Sequence, residues 1–156
     1  MAKYVRTKLI FESDSDSLKK IIEDLKNNDK VIDFNKIIPL NDEGEMLEKW
    51  GIEESPEELD MILYRNETLL EYSFDTLKKT PMPILEKIVE RYPEQHIIIK
   101  YAYEDYGNEC GMYESLKDSK ELIQKELDDP FVFACDVWEI DPDEEMAERA
   151  INYYEE

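Results

Sequence analysis

From Tyr4 to Glu12 apolar and polar side chains alternate, with Val5, Thr7, Leu9 and Phe11 on one side, and the pattern predicts a β-strand. Ser13 to Ser17 then offers several capping oxygens. Leu18, Ile21, Ile22 and Leu25 follow at helical spacing, predicting a helix that stops near Asn27-Asn28. Lys30 to Phe34 predicts a second, shorter strand, and Asn35 to Gly51 an irregular stretch broken by Pro39 and Gly44. Ser55-Pro56-Glu57-Glu58 reads as a helix start, with a cap, a first-turn proline and a capping-box glutamate. Thr68 to Phe74 alternates again as a strand.

Pro83 opens an amphipathic helix whose apolar stripe is Ile84, Leu85, Ile88, Val89 and Tyr92, and Pro93 closes it. His96 to Tyr103 has the character of a central strand covered on both sides. Tyr106-Gly107-Asn108 turns the chain, so that Glu109 to Ser115 returns as the second arm of a hairpin. Ser119 to Leu127 reads as a short helix and Phe131 to Trp138 as an apolar strand. Asp141-Pro142 starts a last helix, with Met146, Ala147, Ala150, Ile151 and Tyr154 turned inward. These elements predict one α+β domain over residues 1–156. Its expected form is a ferredoxin-like sandwich, with a mixed or antiparallel sheet and helices mainly on one face. To that frame are added an inserted helix within an acidic insertion, 41–67, and a strand and helix within an acidic C-terminal segment, 126–156.

A chain of 156 residues with 42% hydrophobic side chains can build a core without disulfides or metal. It has no apolar stretch near the roughly 20 residues that span a bilayer. Its first residues alternate rather than forming a secretory signal, so a soluble, cytoplasmic protein is expected. Cys110 and Cys135 lack CxxC spacing. Free thiols in a reducing compartment are the expected state, with a disulfide left open should their strands be neighbours.

Charge changes the picture most. Forty acidic residues face 19 basic ones, for a net of −21. That balance argues against direct binding to nucleic acid or anionic lipid, both of which need cationic contacts. The excess is uneven. Residues 41–67 carry ten acids against two bases, and 126–156 carry twelve against one. Glu54, Glu57, Glu58 and Asp60 form one candidate binding group, and Asp141, Asp143, Glu144, Glu145 and Glu148 the other. Beside simple solubilisation, the pattern points to a non-enzymatic protein that engages a basic, nucleic-acid-binding or defence protein. Carboxylates at helical spacing lie roughly 5–6 Å apart at Cβ, near the spacing of phosphates along a strand, which suggests a nucleic-acid mimic.

Candidate chemistry is sparse. His96 is the single histidine and has no obvious partner; Cys110 has no activating signature. Glu104 and Asp105 beside the hairpin turn are the alternative site, as acid and base or as ligands of Mg²⁺, against a reading as a solvated hairpin tip. The acids from Asp141 to Glu145 lack EF-hand spacing and read as complements of a helix N-terminus. No catalytic residue, metal site or cofactor is expected. Ten tyrosines, with Trp50 and Trp138, leave a self-associating accessory subunit open as a further alternative.

The segments Val31-Ile-Asp-Phe-Asn-Lys-Ile-Ile-Pro-Leu40, Trp50-Gly51, Phe74-Asp-Thr76, the prolines Pro81 and Pro83, Arg91-Tyr-Pro93 and Tyr101-Ala-Tyr-Glu-Asp105 with Gly107 and Gly111 follow one another along the chain. In that order they resemble the YubB-like proteins of phages and plasmids. Leu77 stands where that family has tryptophan, and Met82 separates the two prolines. The resemblance covers the middle of the chain. It implies a ferredoxin-like fold and a mobile-element origin, and no catalytic residue.

Overall fold

The computed structural model describes residues 4–106 and 109–155. Alternation in the first strand, β1 (Tyr4–Glu12), sets the frame: Val5, Thr7, Leu9 and Phe11 are buried on one face of the sheet. β1 is flanked on both sides, by β3 (Leu69–Leu77) and β4 (His96–Tyr103), so that Leu9 stands opposite both Tyr72 and Ile99. With β2 (Met61–Arg65), β5 (Cys110–Ser115) and β6 (Ile123–Lys125) the sheet has six strands in the order β2-β3-β1-β4-β5-β6. All five pairings are antiparallel.

Two amphipathic helices cover the first face. In α1 (Ser15–Leu25), capped by Asp14 to the Ser17 N–H, Leu18, Ile21 and Leu25 point into the core. In α4 (Met82–Arg91), Ile84, Leu85, Ile88 and Val89 do so, as their spacing predicts. Two short helices, α2 (Phe34–Ile37) and α3 (Met46–Trp50), close the same core. Trp50 is fully buried there, its indole Nε1 donating to Ile38 O at 2.8 Å and its ring meeting Phe34 edge-on. The opposite face is covered only in part. There α5 (Pro130–Val137) packs Ala134 and Val137 against Ala102, and Trp138 Nε1 donates to Ala102 O. A last helix, α6 (Pro142–Glu155), lies beside α5.

The α+β class, the strands at the start and middle of the chain, the β4–β5 hairpin and the helices α1, α4 and α6 match expectation. Other local readings do not: Asn35 to Gly51 holds α2 and α3 rather than being irregular, and His96 to Tyr103 alternates in burial instead of being covered on both sides. Lys30 to Phe34 forms no strand, because Asp33 caps a helical turn through the Asn35 N–H. The expected inserted helix after Ser55 is one 3₁₀ turn, Glu58–Asp60, leading into β2. Lys30 Nζ occupies Ser55 Oγ and Pro56 O, diverting the capping oxygen, and the alternating Met61-Ile-Leu-Tyr-Arg65 pairs with β3 instead.

Ser119 to Leu127 is not helical; Ile123 to Lys125 adds β6 to the edge of β5. Phe131 to Trp138 is helix rather than strand, so the C-terminal addition is two helices. Asp129 caps the Val132 N–H, and Pro130 occupies the first turn. A short apolar run does not reveal its own period. Finally, the apolar stripe of α6 faces solvent, with Met146 60% and Ile151 56% exposed and Ala147 and Ala150 exposed beside them. The helix is rotated by Arg149, whose guanidinium lies 4.8 Å from the Phe131 ring centre and donates to the Asp105 and Tyr106 carbonyls. The Tyr154 side chain and the Gly107-Asn108 turn lie outside the described residues.

Candidate functional site: an acidic end of the sheet

The antiparallel pairing fixes which connections share an end. β1, β2 and β5 begin where β3, β4 and β6 finish. At this end lie the segment entering β2 through Glu54, Glu57, Glu58 and Asp60, the turn after β4 with Glu104 and Asp105, and the link from β6 to α5 with Glu126, Asp128 and Asp129. Residues 54–60 of the first acid-rich segment and 126–129 of the second therefore meet at one end of the sheet.

Tyr4 joins them. It lines a cleft of about 110 Å³ together with Glu54, Glu57, Asp60 and Asp75. On its other side the Tyr4 N–H donates to Glu104 Oε1 at 3.2 Å, and the Glu104 N–H returns a bond to Tyr4 O. The carbonyl of Asp105 accepts from Arg149 at 3.0 Å, which fastens the middle of α6 to the same turn.

Cations at this end are largely engaged. Arg6 grips Asp75 with two hydrogen bonds, 2.8 and 3.1 Å, and lies 4.4 Å from the Trp138 ring centre. The Asp75 bond holds the guanidinium pKa above its ordinary value against the opposing effect of burial. Arg149 is bonded to Glu145 at 3.2 Å. Lys78 and Lys79, after β3, are exposed.

Of the acids singled out by sequence, Glu54, Glu57, Glu58, Asp60, Asp141, Asp143, Glu144 and Glu148 are exposed. Glu145 is half-buried and committed to Arg149, so it is not part of the open surface. Glu54 to Asp60 is extended chain and a 3₁₀ turn, so helical phosphate-like spacing applies to α6 alone. Glu104 is held by the Tyr4 amide and Asp105 is half-buried. Cys110 and Cys135 are both free, Cys135 on α5 rather than on a strand. Burial pushes both thiols up, with Asp105 adding to the effect at Cys110 and Glu145 at Cys135, so neither is an activated nucleophile.

Sequence reasoning missed a second cluster, at the opposite end. His96 Nδ1 lies 2.9 Å from Glu12 Oε2 and Nε2 lies 2.5 Å from Glu114 Oε2, so one imidazole ties β1, β4 and β5. Lys125 Nζ meets the other Glu114 oxygen at 3.2 Å. His96 also borders a cleft of about 560 Å³ with Glu12, Asp14, Glu94, Lys117 and Asp118. Both ring nitrogens face carboxylates, which suits a strand clamp better than a free base. Among the described residues no group of three or more His, Cys, Asp or Glu side chains is placed to hold a metal ion, and no helix is long and apolar enough to cross a membrane. Compared with known proteins, the chain matches no family model, no curated protein and no solved structure.

Proposed function

We propose that this protein is a non-enzymatic acidic binding protein of a mobile genetic element, acting in the cytoplasm on a basic partner. The single observation behind the reading is the convergence of both acid-rich segments on one end of the sheet. Scattered solubilising charge has no reason to follow strand polarity. An anionic surface suits a protein whose own ligand is nucleic acid, and the exposed Glu144 and Glu148, one helical turn apart on α6, present carboxylates at a phosphate-like spacing. The partner is thus a nucleic-acid-binding protein, for example a defence nuclease. The frame is read as ferredoxin-like: β1-α1-β2-β3-α4-β4, with strand order β2-β3-β1-β4, has the split βαβ connectivity of that sandwich, extended by β5 and β6.

The test is capture from host lysate against a charge-matched control protein, followed by titration of the captured partner. Steep weakening with salt and competition with duplex DNA are expected. Charge reversal at Glu144 and Glu148 should weaken binding at least tenfold more than reversal at Glu86 and Glu90 on α4. Equal losses from both pairs, or undiminished DNA binding by the occupied partner, would end the mimic reading. A rise in melting temperature in millimolar Mg²⁺ beyond that in matched monovalent salt would favour ligand binding at Glu104 and Asp105 instead. Self-association is favoured by one observation, the exposure of Ile62 and Tyr64 on the edge strand β2, and light scattering addresses it.

A further inference from the structure

Beside the acidic end, on the helix-covered face, three tyrosines wall a cleft of about 370 Å³. Tyr101, Tyr103 and Tyr113 stand on one side, with Gly51, Met82 and Pro83 among the facing residues. The rings of Tyr101 and Tyr113 are nearly parallel, 20° apart with centres 6.2 Å apart, and all three tyrosines are half-buried. Two glycines keep this shape. Gly111 pairs with Tyr101 across β4 and β5, and a Cβ there would sit 2.6 Å from the ring. Gly51 ends α3 at φ +78°, where a Cβ would sit 2.9 Å from Pro83 Cδ.

The polar chemistry of the cleft narrows its occupant. It adjoins the start of α4, but that helix offers few N–H donors. Pro81 and Pro83 have none, Met82 N–H is given to Thr80 O, and Ile84 N–H to Pro81 O. The Tyr103 hydroxyl is likewise spent on Lys78 O at 2.6 Å. Carboxylates lie close by: burial raises the pKa of the Tyr103 phenol, and the charge of Glu109 adds to the effect. The Tyr4 cleft with Glu54 and Glu57 lies across the end of β3, where Thr76 belongs to it while bonding Lys79 O. π-faces near carboxylates, with the backbone N–H groups at the start of α4 already taken, suit a cation, and a planar, weakly hydrated guanidinium stacks on such rings better than an ammonium. Among the described residues Lys79 is the one cation in the lining, and it is exposed.

We infer that the tyrosine cleft receives an arginine side chain of a basic peptide segment. The inference rests on the proposed basic partner and adds where, and by which side chain, that partner is read.

The full chain with ¹³C-labelled tyrosine rings is titrated with a peptide alternating glycine and arginine, and with its lysine and glutamate counterparts. The arginine peptide is expected to shift the Tyr101, Tyr103 and Tyr113 signals and to bind at least threefold tighter than the lysine peptide. Tyr113→Leu should weaken it about fivefold, and Lys79→Ala, which removes a like charge from the surface, should tighten it about twofold. Melting curves check that both variants fold, and Lys79→Ala keeps the test decisive if Tyr113→Leu does not. Arginine-peptide binding with unmoved cleft rings would overturn the cleft and leave the basic-partner reading standing. Equal affinity for arginine and lysine peptides would overturn the arginine assignment. Shifts with the glutamate peptide, lost in Lys79→Ala, would make the cleft an anion site. No binding of either cationic peptide would remove both readings.

Discussion

His96 Nε2 and Glu114 Oε2 meet at 2.5 Å across the β4–β5 ladder, and the same imidazole reaches Glu12 on β1 at 2.9 Å. Burial opposes the charged ring, but the hydrogen bonds to Glu114 and Glu12 outweigh it, so the folded pKa lies above the ordinary 6.5. The Glu114 pKa is lowered in turn, by His96 first and Lys125 next.

The pH dependence follows from these directions. A raised histidine pKa adds stability that is fully present below about pH 6.5 and is lost as pH rises through the folded value. The lowered Glu114 value adds stability that is present above the ordinary carboxylate range and is lost in acid. Since His96 is the single histidine, melting temperature should fall between pH 6.5 and 8.5 in the native chain and stay level in His96→Gln. Glu114→Gln should lower the His96 pKa measured by NMR. An unchanged pKa in that variant would remove the clamp.

Tyr72 carries the opposite kind of polar group. Its side chain is fully buried beside Phe11, burial raises its pKa, and its hydroxyl meets no hydrogen-bond partner among the described residues. Replacing an unsatisfied hydroxyl by hydrogen removes a desolvation cost. Tyr72→Phe should therefore leave stability unchanged or raise it by up to about 1 kcal/mol. Trp50→Phe, which abandons Ile38 O and leaves a void, should lose about 2–4 kcal/mol by chemical denaturation.

Gly51 offers a backbone test. Its φ of +78° strains any side chain, and Pro83 already stands where a Cβ would go. Gly51→Ala should cost about 1–2 kcal/mol, whereas an alanine at the exposed Asn28 should cost under about 0.5 kcal/mol. Equal losses in urea melts would show that the α3–α4 contact gives.

Salt probes the whole surface. A net charge of −21 sets like charges against one another in the folded state, and screening over about 10 Å at 0.1 M relieves that repulsion. Melting temperature should rise by several degrees between 10 and 300 mM NaCl. A flat or falling curve would mean that the acids are compensated locally.

Much of this architecture is legible in the sequence where one residue set satisfies one period. Val5-Thr7-Leu9-Phe11 and Ile84-Leu85-Ile88-Val89 mark their elements without help, because each buries one continuous face. Legibility fails where local chemistry is diverted by something remote. Ser55 is a capping residue by type, yet its hydroxyl is taken by Lys30, 25 positions earlier. Met146 and Ile151 have core spacing, yet Arg149 between them chooses the buried side of α6. The acidic segments are obvious as composition. Their shared end of the sheet appears only once strand polarity is fixed, and the His96 clamp only once Glu12 and Glu114 are brought into register.

Strand β2 has a consequence at higher concentration. Among the described residues its outer rim has no neighbouring strand, and Ile62 and Tyr64 of the same strand are 59% and 55% exposed on the sheet face away from the main core. Such a rim invites pairing with a second molecule, and mutual repulsion between anionic molecules is what holds them off. Ionic strength thus acts in two opposed ways. The screening that tightens each molecule also lets neighbours approach, so the salt range that melts latest is also the one in which crowded samples should first turn cloudy.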